Sequence, residues 1–265
     1  MWELLVLLAV VAGVHWWEYR NAVQEYTFAQ PSTLDRHDEL SGVLQEKTPI
    51  AVEIGSLPWR PEVAGKASWT VTVVSNGAEM DMPVSQWIVS RSDTATTRGS
   101  HSDTDTDKEE RPAIANAEAL ATEMELANGL ADIDAGRPWW WLPELRGCQV
   151  DILEKDQVLG LTWVTAERHW VGCSHGSPLT IWLVHSRYRR YLPAGSDVNP
   201  WTLTVADAPW IGRVQYIEVT VKPGWCIGLP AHWGFALKTE GASWMWSADQ
   251  HSLLSLMLGK LTNGV

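Results

Sequence analysis

Cysteine, phenylalanine and cationic residues are scarce in this sequence. The 265 residues include three cysteines and two phenylalanines, and 20 lysines and arginines stand against 32 acidic residues. The net charge of −12 argues against broad nucleic-acid binding, because such binding needs cationic side chains to replace the counterions of the phosphates. Hydrophobic residues make up an ordinary 45% of the chain, which is long enough to bury a core as one large domain or two small ones.

The three cysteines, Cys148, Cys173 and Cys226, cannot all pair within one chain. None of them lies in a C-x-x-C spacing, so the sequence contains neither a zinc-ribbon motif nor a redox motif. The spacing therefore predicts small, buried, reduced thiols in a reducing compartment.

Familiar catalytic motifs are also absent from the sequence. It has no glycine-rich phosphate loop, no G-x-S-x-G elbow and no H-E-x-x-H pair. Residues 91–111 contain alternating aspartates but lack the glycine and the glutamate that an EF-hand loop requires. Because this run has almost nothing to bury, we expect a disordered acidic loop.

Tryptophan, by contrast, is abundant, with 18 residues in the chain. Its side chain fills a large volume and keeps one N–H donor, which suits sheet cores whose edges meet water or lipid. We interpret most of these tryptophans as core packing. A tryptophan-lined carbohydrate-binding surface is the alternative interpretation.

The first 20 residues form a strongly apolar segment. No polar residue occurs from Leu4 to Val14, and Trp2, Trp16 and Trp17 flank this run. Residues 2–17 would extend about 24 Å as a helix, slightly less than the roughly 30 Å of a hydrocarbon core. Tryptophans at both ends are typical of the headgroup region. The segment therefore predicts a single-pass transmembrane anchor over residues 1–20, with a cleaved signal peptide or a buried helix as alternatives.

The charge next to this segment bears on orientation. Arg20 lies on its C-terminal side, which favours a cytosolic location for the bulk of the chain.

Between this segment and Cys148 the pattern predicts mixed structure. Ser32 and Asp35 form a candidate capping box for a helix that ends near Lys47, and a second helix is expected over residues 112–133. Alternating apolar residues predict strands over residues 49–55, 68–75 and 83–90, with a turn at Asn76-Gly77.

From Cys148 onward the sequence predicts mostly strands. Turn residues separate them at short intervals, which is typical of a β-sandwich or barrel. We therefore expect a mostly β (α+β) fold with a jelly-roll barrel, a few flanking helices and a short helix in QHSLLSLMLGKL at the end. The predicted strands are QVDIL, VLGLTWVT, LTIWLVHSRYRRYLP, WTLTVA, RVQYIEVTV, WCIGL, GFALK and ASWMWSA.

Two stretches carry a resemblance to a known family. In VTVKPGWCIGLPAHW (219–233) a strand ends at a Pro-Gly turn, and the next strand ends in proline and aromatic residues. TPIAVEIGSLPW (48–59) is similar to the N-terminal strand of the same family. The chain thus resembles the cupin-like, JmjC-type double-stranded β-helix proteins, and with its anchor it resembles membrane-anchored cupin-like proteins of large DNA viruses. The resemblance implies a cupin-like domain over residues 21–265.

Enzymes of that family hold Fe(II) with two histidines and one carboxylate and bind 2-oxoglutarate. The resemblance places the later histidine at Gly234, with His232 two residues early, and the His-x-Asp/Glu pair near Cys173 to His175, where no carboxylate occurs. It places the basic anchor for 2-oxoglutarate at Arg189 or Arg190, although an exposed strand face also explains these arginines. Cys173, His175 and His232 could form a different site, better suited to zinc.

We therefore expect a non-catalytic, membrane-anchored cupin-like protein that serves as a structural or binding module. We expect no cofactor and no nucleic-acid partner, and the protein partner is not identified by the sequence. The viral resemblance implies an internal host membrane or a virion membrane. Two alternatives stay open: an Fe(II)/2-oxoglutarate-type oxygenase, hydroxylase-like or demethylase-like, with a rearranged metal site, and a carbohydrate-binding barrel.

Overall fold

The computed structural model describes six stretches of the chain. They are residues 48–53, 70–75, 78–83, 113–114, 144–195 and 198–251, together with the single residues Trp2, Glu3, Val6, Ala9, Val10, Gly13, Phe28 and Gln86. These residues form twelve strands: β1 Ile50–Glu53, β2 Thr70–Ser75, β3 Ala78–Pro83, β4 Ala113–Ile114, β5 Glu144–Leu153, β6 Val158–Trp163, β7 Arg168–Gly176, β8 Leu179–His185, β9 Tyr216–Val221, β10 Trp225–Pro230, β11 Trp233–Thr239 and β12 Ser243–His251. They also form two 3-10 helices, Ser186–Tyr191 and Ile211–Arg213.

Most of these strands belong to two antiparallel sheets. One sheet has the order β1-β10-β7-β12-β5, and the other has the order β6-β11-β8-β9. From β5 to β12 the chain passes from one sheet to the other at every connection except that between β8 and β9. This arrangement confirms the predicted mostly β fold class and is compatible with a β-sandwich of the jelly-roll type.

A third, smaller sheet has the order β3-β2-β4. Ser75 pairs with Ala78, which leaves the two residues Asn76 and Gly77 to connect β2 and β3. The predicted Asn-Gly position is therefore the hairpin connection.

An apolar core lies between the two large sheets. Because side chains alternate along a strand, Leu179, Ile181 and Leu183 of β8 all point into it. They meet residues of the opposite sheet such as Ile227 and Met245. Each fully buried side chain of this kind stabilises the fold by about 1.5–3 kcal/mol.

A second apolar cluster covers the other face of the four-stranded sheet. Trp182 and Val184 of β8 point to this face, where Leu192 and Val214 pack on them. Leu192 and Val214 come from the β8–β9 connection, residues 186–215, which is therefore docked on the sheet.

The predicted strand over residues 179–193 is wrong in its second half. β8 ends at His185, and Ser186–Tyr191 is a 3-10 helix. The Nδ1 atom of His185 accepts a hydrogen bond from the backbone N–H of Arg187, so the histidine caps this helix. Arg189 and Arg190 consequently lie on a helix, and the expectation that they occupy a strand face is also wrong.

The run WTLTVA was predicted as a strand, and this too is wrong. The side chain of Asn199 accepts the N–H of Trp201, and the side chain of Asp207 accepts the N–H of Thr204. Such local side-chain bonds favour turns over a sheet ladder.

Further predictions fail in part, and others lie outside the described residues. Of the strand predicted over residues 83–90, the structure describes Pro83, the last residue of β3, and Gln86, which is helical. Of the helix predicted over residues 112–133, it describes Ala113 and Ile114, which form β4 and pair with β2. The helix predicted in QHSLLSLMLGKL is wrong at its start, because Gln250 and His251 belong to β12, and its remaining residues lie outside the described ones. The helix after Ser32 and the acidic loop at 91–111 also lie outside the described residues.

At the N-terminus, the six described residues between Trp2 and Gly13 are helical. The described part of the chain contains no apolar helix of bilayer-spanning length.

Candidate functional site

A histidine–aspartate pair lies at one end of the sandwich, where β7 begins and β12 ends. The two residues are direct neighbours in the register of these strands. His169 Nδ1 and Asp249 Oδ1 are 2.7 Å apart. The side chain of His169 is 15% exposed and that of Asp249 is 39% exposed. The pair therefore forms a polar rim that solvent can reach.

Strand alternation explains why both side chains point inward. His169 lies on the same face of β7 as Val171 and Cys173, which belong to the core. Asp249 lies on the same face of β12 as the core residue Met245. The pair is thus the polar end of an otherwise apolar row.

Phe235 links this pair to the opposite sheet. Its ring stacks on the imidazole of His169 with 4.7 Å between the ring centroids. Phe235 is in turn opposite Thr162 of the edge strand β6. The imidazole is therefore held between a carboxylate of its own sheet and an aromatic ring of the other.

Cys148 of β5 lies close enough to Asp249 to respond to its charge. Burial, and next the negative charge of Asp249, raise the pKa of the Cys148 thiol. The thiol is therefore kept in its protonated form beside the carboxylate.

The chemical capacity of this pair is limited. A carboxylate that accepts the Nδ1 proton orients the ring and leaves Nε2 as a hydrogen-bond acceptor. His169 and Asp249 bind each other, so they are not two separate ligands aimed at a third point. Among the described residues, no three histidine, cysteine or acidic side chains converge as a metal site would require.

The strand register separates the three residues considered for zinc. Trp225 is opposite Cys173 and Pro230 is opposite Arg168, so His232 lies beyond the other end of β7. Five residues of extended strand correspond to about 17 Å. Cys173 is buried in the core, where burial raises the pKa of its thiol to about 12, whereas His175 is exposed. The structure therefore does not bring Cys173, His175 and His232 together.

His232 has a structural role in the turn between β10 and β11. Its φ angle is +70°. Its N–H donates to the carbonyl of Val164, and its own carbonyl accepts from the N–H of Ser186. His232 thus ties together three segments at this end of the sandwich.

Gly234 occupies the position at which the family resemblance implies a histidine. A Cβ atom built there would lie 2.9 Å from a ring carbon of Trp163. A histidine does not fit at this position without displacement of the Trp163 ring. Together with the separation of Cys173 from His232, this means that the described residues at the positions the resemblance implies do not fit an Fe(II) site of the family type.

His185, at the end of β8, is a buried histidine that lies close enough to His232 to interact with it electrostatically. Its ring meets Trp233 edge-on with 5.4 Å between centroids. Burial, and then the electrostatic effects of Arg187 and His232, lower the pKa of His185 from its ordinary value. The fold therefore favours a neutral imidazole here.

Arg189 and Arg190 belong to a different constellation, which we call the arginine–aromatic surface. It consists of four exposed arginines, each with its guanidinium over an aromatic ring, on or beside the β8–β9 connection. The pairs and their distances to the ring centroids are Arg187 and Tyr188 at 4.9 Å, Arg189 and Trp163 at 5.4 Å, Arg190 and Tyr191 at 4.7 Å, and Arg213 and Trp210 at 4.6 Å.

Neither the His169–Asp249 pair nor the arginine–aromatic surface was predicted from the sequence. The partners His169 and Asp249 are 80 residues apart, and no local spacing indicates their contact. The run SRYRRY did contain a usable signal, since it alternates arginine with aromatic residues. That signal was interpreted as a strand face.

Known proteins do not extend these observations: no protein-family model matches the sequence, and no curated protein matches it either.

Proposed function

We propose that the protein is a non-catalytic, membrane-attached binding module built on a cupin-like double-stranded β-helix. The strand order supports the cupin-like part of this proposal. Strands β5-β12-β7-β10 face strands β6-β11-β8-β9, and the chain alternates between the two sheets as it does in a jelly roll.

The packed interior is the observation that carries the non-catalytic part. Cofactor and substrate sites are concave spaces with a few convergent polar groups. The space between the sheets of this protein is instead filled by apolar side chains, among them Leu183, Leu229 and the fully buried Trp233. A filled interior suits a scaffold that binds through its outside.

The oxygenase alternative receives no support from the residues present. The zinc candidates are separated, Gly234 leaves no room for a histidine, and Asp249 is engaged with His169. We therefore derive no reaction step through Fe(II) or 2-oxoglutarate.

Membrane attachment rests on the apolar N-terminus. Trp2, Val6 and Val10 are helical and exposed, with 71%, 49% and 56% of their surface accessible. Apolar helical side chains of this kind favour a lipid environment.

Membrane attachment is tested by carbonate extraction of the full chain, in wild-type form and as V6E/V10E. We expect the wild type in the membrane pellet. The variant should shift to the supernatant, because a charge near the centre of an inserted helix costs roughly 2.5–3.5 kcal/mol. Glu3→Gln is the control that should stay in the pellet. Wild-type protein in the supernatant would refute the anchor.

The non-catalytic assignment is tested by metal analysis of the purified full chain. We expect iron and zinc well below one atom per chain. Stoichiometric metal that is lost in His169→Ala or in His232→Ala would overturn the assignment.

A further inference from the structure

The arginine–aromatic surface differs in charge from the rest of the molecule. Residues 186–216 contain four arginines and two aspartates, a net charge of +2, whereas the whole chain carries −12. Positive charge is therefore concentrated on the β8–β9 connection of an acidic protein, where it can attract an anionic partner.

Three of the four arginines, Arg189, Arg190 and Arg213, are held over aromatic rings without a described carboxylate partner. Arg189 and Arg213 lie over tryptophan rings, and Arg190 lies over Tyr191 while one of its Nη atoms donates to the Tyr191 hydroxyl at 2.7 Å. None of these three arginines forms an ion pair with a carboxylate in the described part of the chain. Their remaining N–H groups are available to bind an anion.

Two described carboxylates on this connection and on β9 accept hydrogen bonds from neutral donors. Asp207 accepts hydrogen bonds from the backbone N–H and the hydroxyl of Thr204. Glu218 accepts the indole N–H of Trp201 at 2.8 Å. Both acidic groups are thus bound to neutral donors.

Large apolar and aromatic side chains are exposed on the same connection and at the strand that follows it. Val205 is 68% exposed, Trp210 is 53% exposed, and Tyr216 is 55% exposed. Tyrosine and tryptophan favour the headgroup level of a bilayer, and an exposed aliphatic side chain gains by leaving water. This combination fits a lipid surface better than a soluble polyanion, which offers nothing apolar to contact Val205.

The surface is also held as one unit. The Nη2 atom of Arg187 and the hydroxyl of Tyr188 both donate to Oε1 of Gln215. These bonds tie the first 3-10 helix to the end of the β8–β9 connection. Arg187 and Tyr188 are therefore fixed relative to Gln215, two residues after Arg213.

We propose that the arginine–aromatic surface binds the surface of an anionic membrane. The arginines contact the anionic headgroups, while Trp210 and Val205 enter the interface. This inference rests on the proposed function for the presence of a nearby membrane, and it adds a second contact that depends on lipid charge.

The experiment measures partition of the full chain into vesicles. The V6E/V10E form is used throughout, so that insertion of the N-terminus does not dominate binding. Vesicles of phosphatidylcholine alone are compared with vesicles that also contain phosphatidylserine. We expect at least tenfold stronger partition into the anionic vesicles, since each arginine near such a surface contributes roughly fivefold. Added salt should weaken this preference.

Two additional variants test the surface, R189E/R190E and Trp210→Ala, and K155E/K222E is the matched control for the first. R189E/R190E should remove most of the preference for anionic vesicles. K155E/K222E changes the net charge by the same amount as R189E/R190E, at two exposed positions outside the surface. It should retain the preference for anionic vesicles. Trp210→Ala should weaken partition into anionic vesicles severalfold while the salt dependence remains. Thermal unfolding of each variant verifies that it is folded.

Several outcomes would overturn the inference. One is equal partition of the V6E/V10E form into both vesicle types. A second is that R189E/R190E and K155E/K222E reduce the preference for anionic vesicles equally. A third is tight binding to soluble heparin without binding to anionic vesicles. Failure of the anchor in the carbonate extraction is a separate result, because partition of the V6E/V10E form does not depend on the anchor.

Discussion

His169 and Asp249 are 80 residues apart in the sequence, and their side chains share a hydrogen bond of 2.7 Å. The contact exists because β7 and β12 are neighbours in the five-stranded sheet and their register places the two residues side by side. It also closes one end of the apolar core with a polar pair.

The pair should contribute a measurable coupling energy. In a double-mutant cycle with His169→Ala and Asp249→Ala, we expect the free energies of unfolding to be non-additive by about 1 kcal/mol. The coupling is modest because Asp249 is 39% exposed and water replaces part of the lost bond. Chemical denaturation measures all four free energies.

A control cycle pairs Asp249→Ala with Lys155→Ala. Lys155 is exposed in the turn between β5 and β6, and its effect should add to that of Asp249. If the His169 cycle is as additive as this control, the bond contributes nothing to stability.

Gly172 should not tolerate a larger residue. A Cβ atom at this position would lie 2.1 Å from the buried ring of Trp246. Gly172→Ala should therefore lower the free energy of unfolding by about 1–3 kcal/mol through overpacking. Gly212→Ala is the matched control, because a Cβ atom there meets nothing within 4 Å. Equal melting temperatures for the two variants would contradict this packing.

Stability should fall with decreasing pH because of His185. The fold lowers the pKa of His185 below 6.5, mainly through burial and then through Arg187 and His232. As the pH falls through 6.5, the unfolded chain takes up a proton that the folded protein resists, so the free energy of unfolding decreases. The slope from one such group is at most about 1.4 kcal/mol per pH unit.

The substitution His185→Asn tests this assignment. An asparagine side chain can still accept the N–H of Arg187, as the histidine does, but it does not titrate. Urea unfolding is measured between pH 5 and pH 8 at low and high salt. The free energy of unfolding should depend less on pH in the variant than in the wild type. Because burial is the main cause, high salt should remove only a minor part of the wild-type slope. If the free energy of unfolding depends on pH equally in the variant and in the wild type, a group other than His185 causes the dependence.

The cysteines should differ in reactivity. Burial raises the pKa of Cys173 and of Cys226 to about 12, and both thiols are free. In the native protein we expect alkylation at Cys148 alone, slowed by partial burial and then by the Asp249 charge. In denaturant we expect alkylation at all three cysteines. Mass spectrometry after iodoacetamide treatment counts the labels.

Two variants complete the cysteine experiment. Asp249→Asn should accelerate labelling of Cys148, because it removes the charge that raises the pKa of that thiol. Cys148→Ser should abolish native labelling. Rapid native labelling of Cys173 would show that the core opens there.

The sequence predicted most strands of the C-terminal half but missed β7. In strands such as β9, apolar and polar residues alternate because one face is exposed. In β7 both faces are buried: Val171 and Cys173 point into the core, while Trp170 and Gly172 pack with Trp246 and Gln250. Two buried faces leave no alternation, and the polar residues Arg168 and His169 obscure the strand further.

The site residues were predicted less well than the fold. Cys173, His175 and His232 were grouped because they are potential ligands, but extended strands carried them to opposite ends of the sheet. The arginines were recognised, yet their position on a 3-10 helix depends on the capping bond to His185.

The sequence by itself determined the mostly β class, the Asn-Gly hairpin and the burial of Cys173 and Cys226, whereas the burial predicted for Cys148 is only partial. These properties depend on local alternation, turn chemistry and hydrophobicity, which neighbouring residues encode. Only the tertiary structure decided that His169 meets Asp249 and that Arg189 of the β8–β9 connection lies over Trp163 of β6. Such contacts arise when strands and connections distant in sequence are brought together, and their register is set by the packing of the whole core.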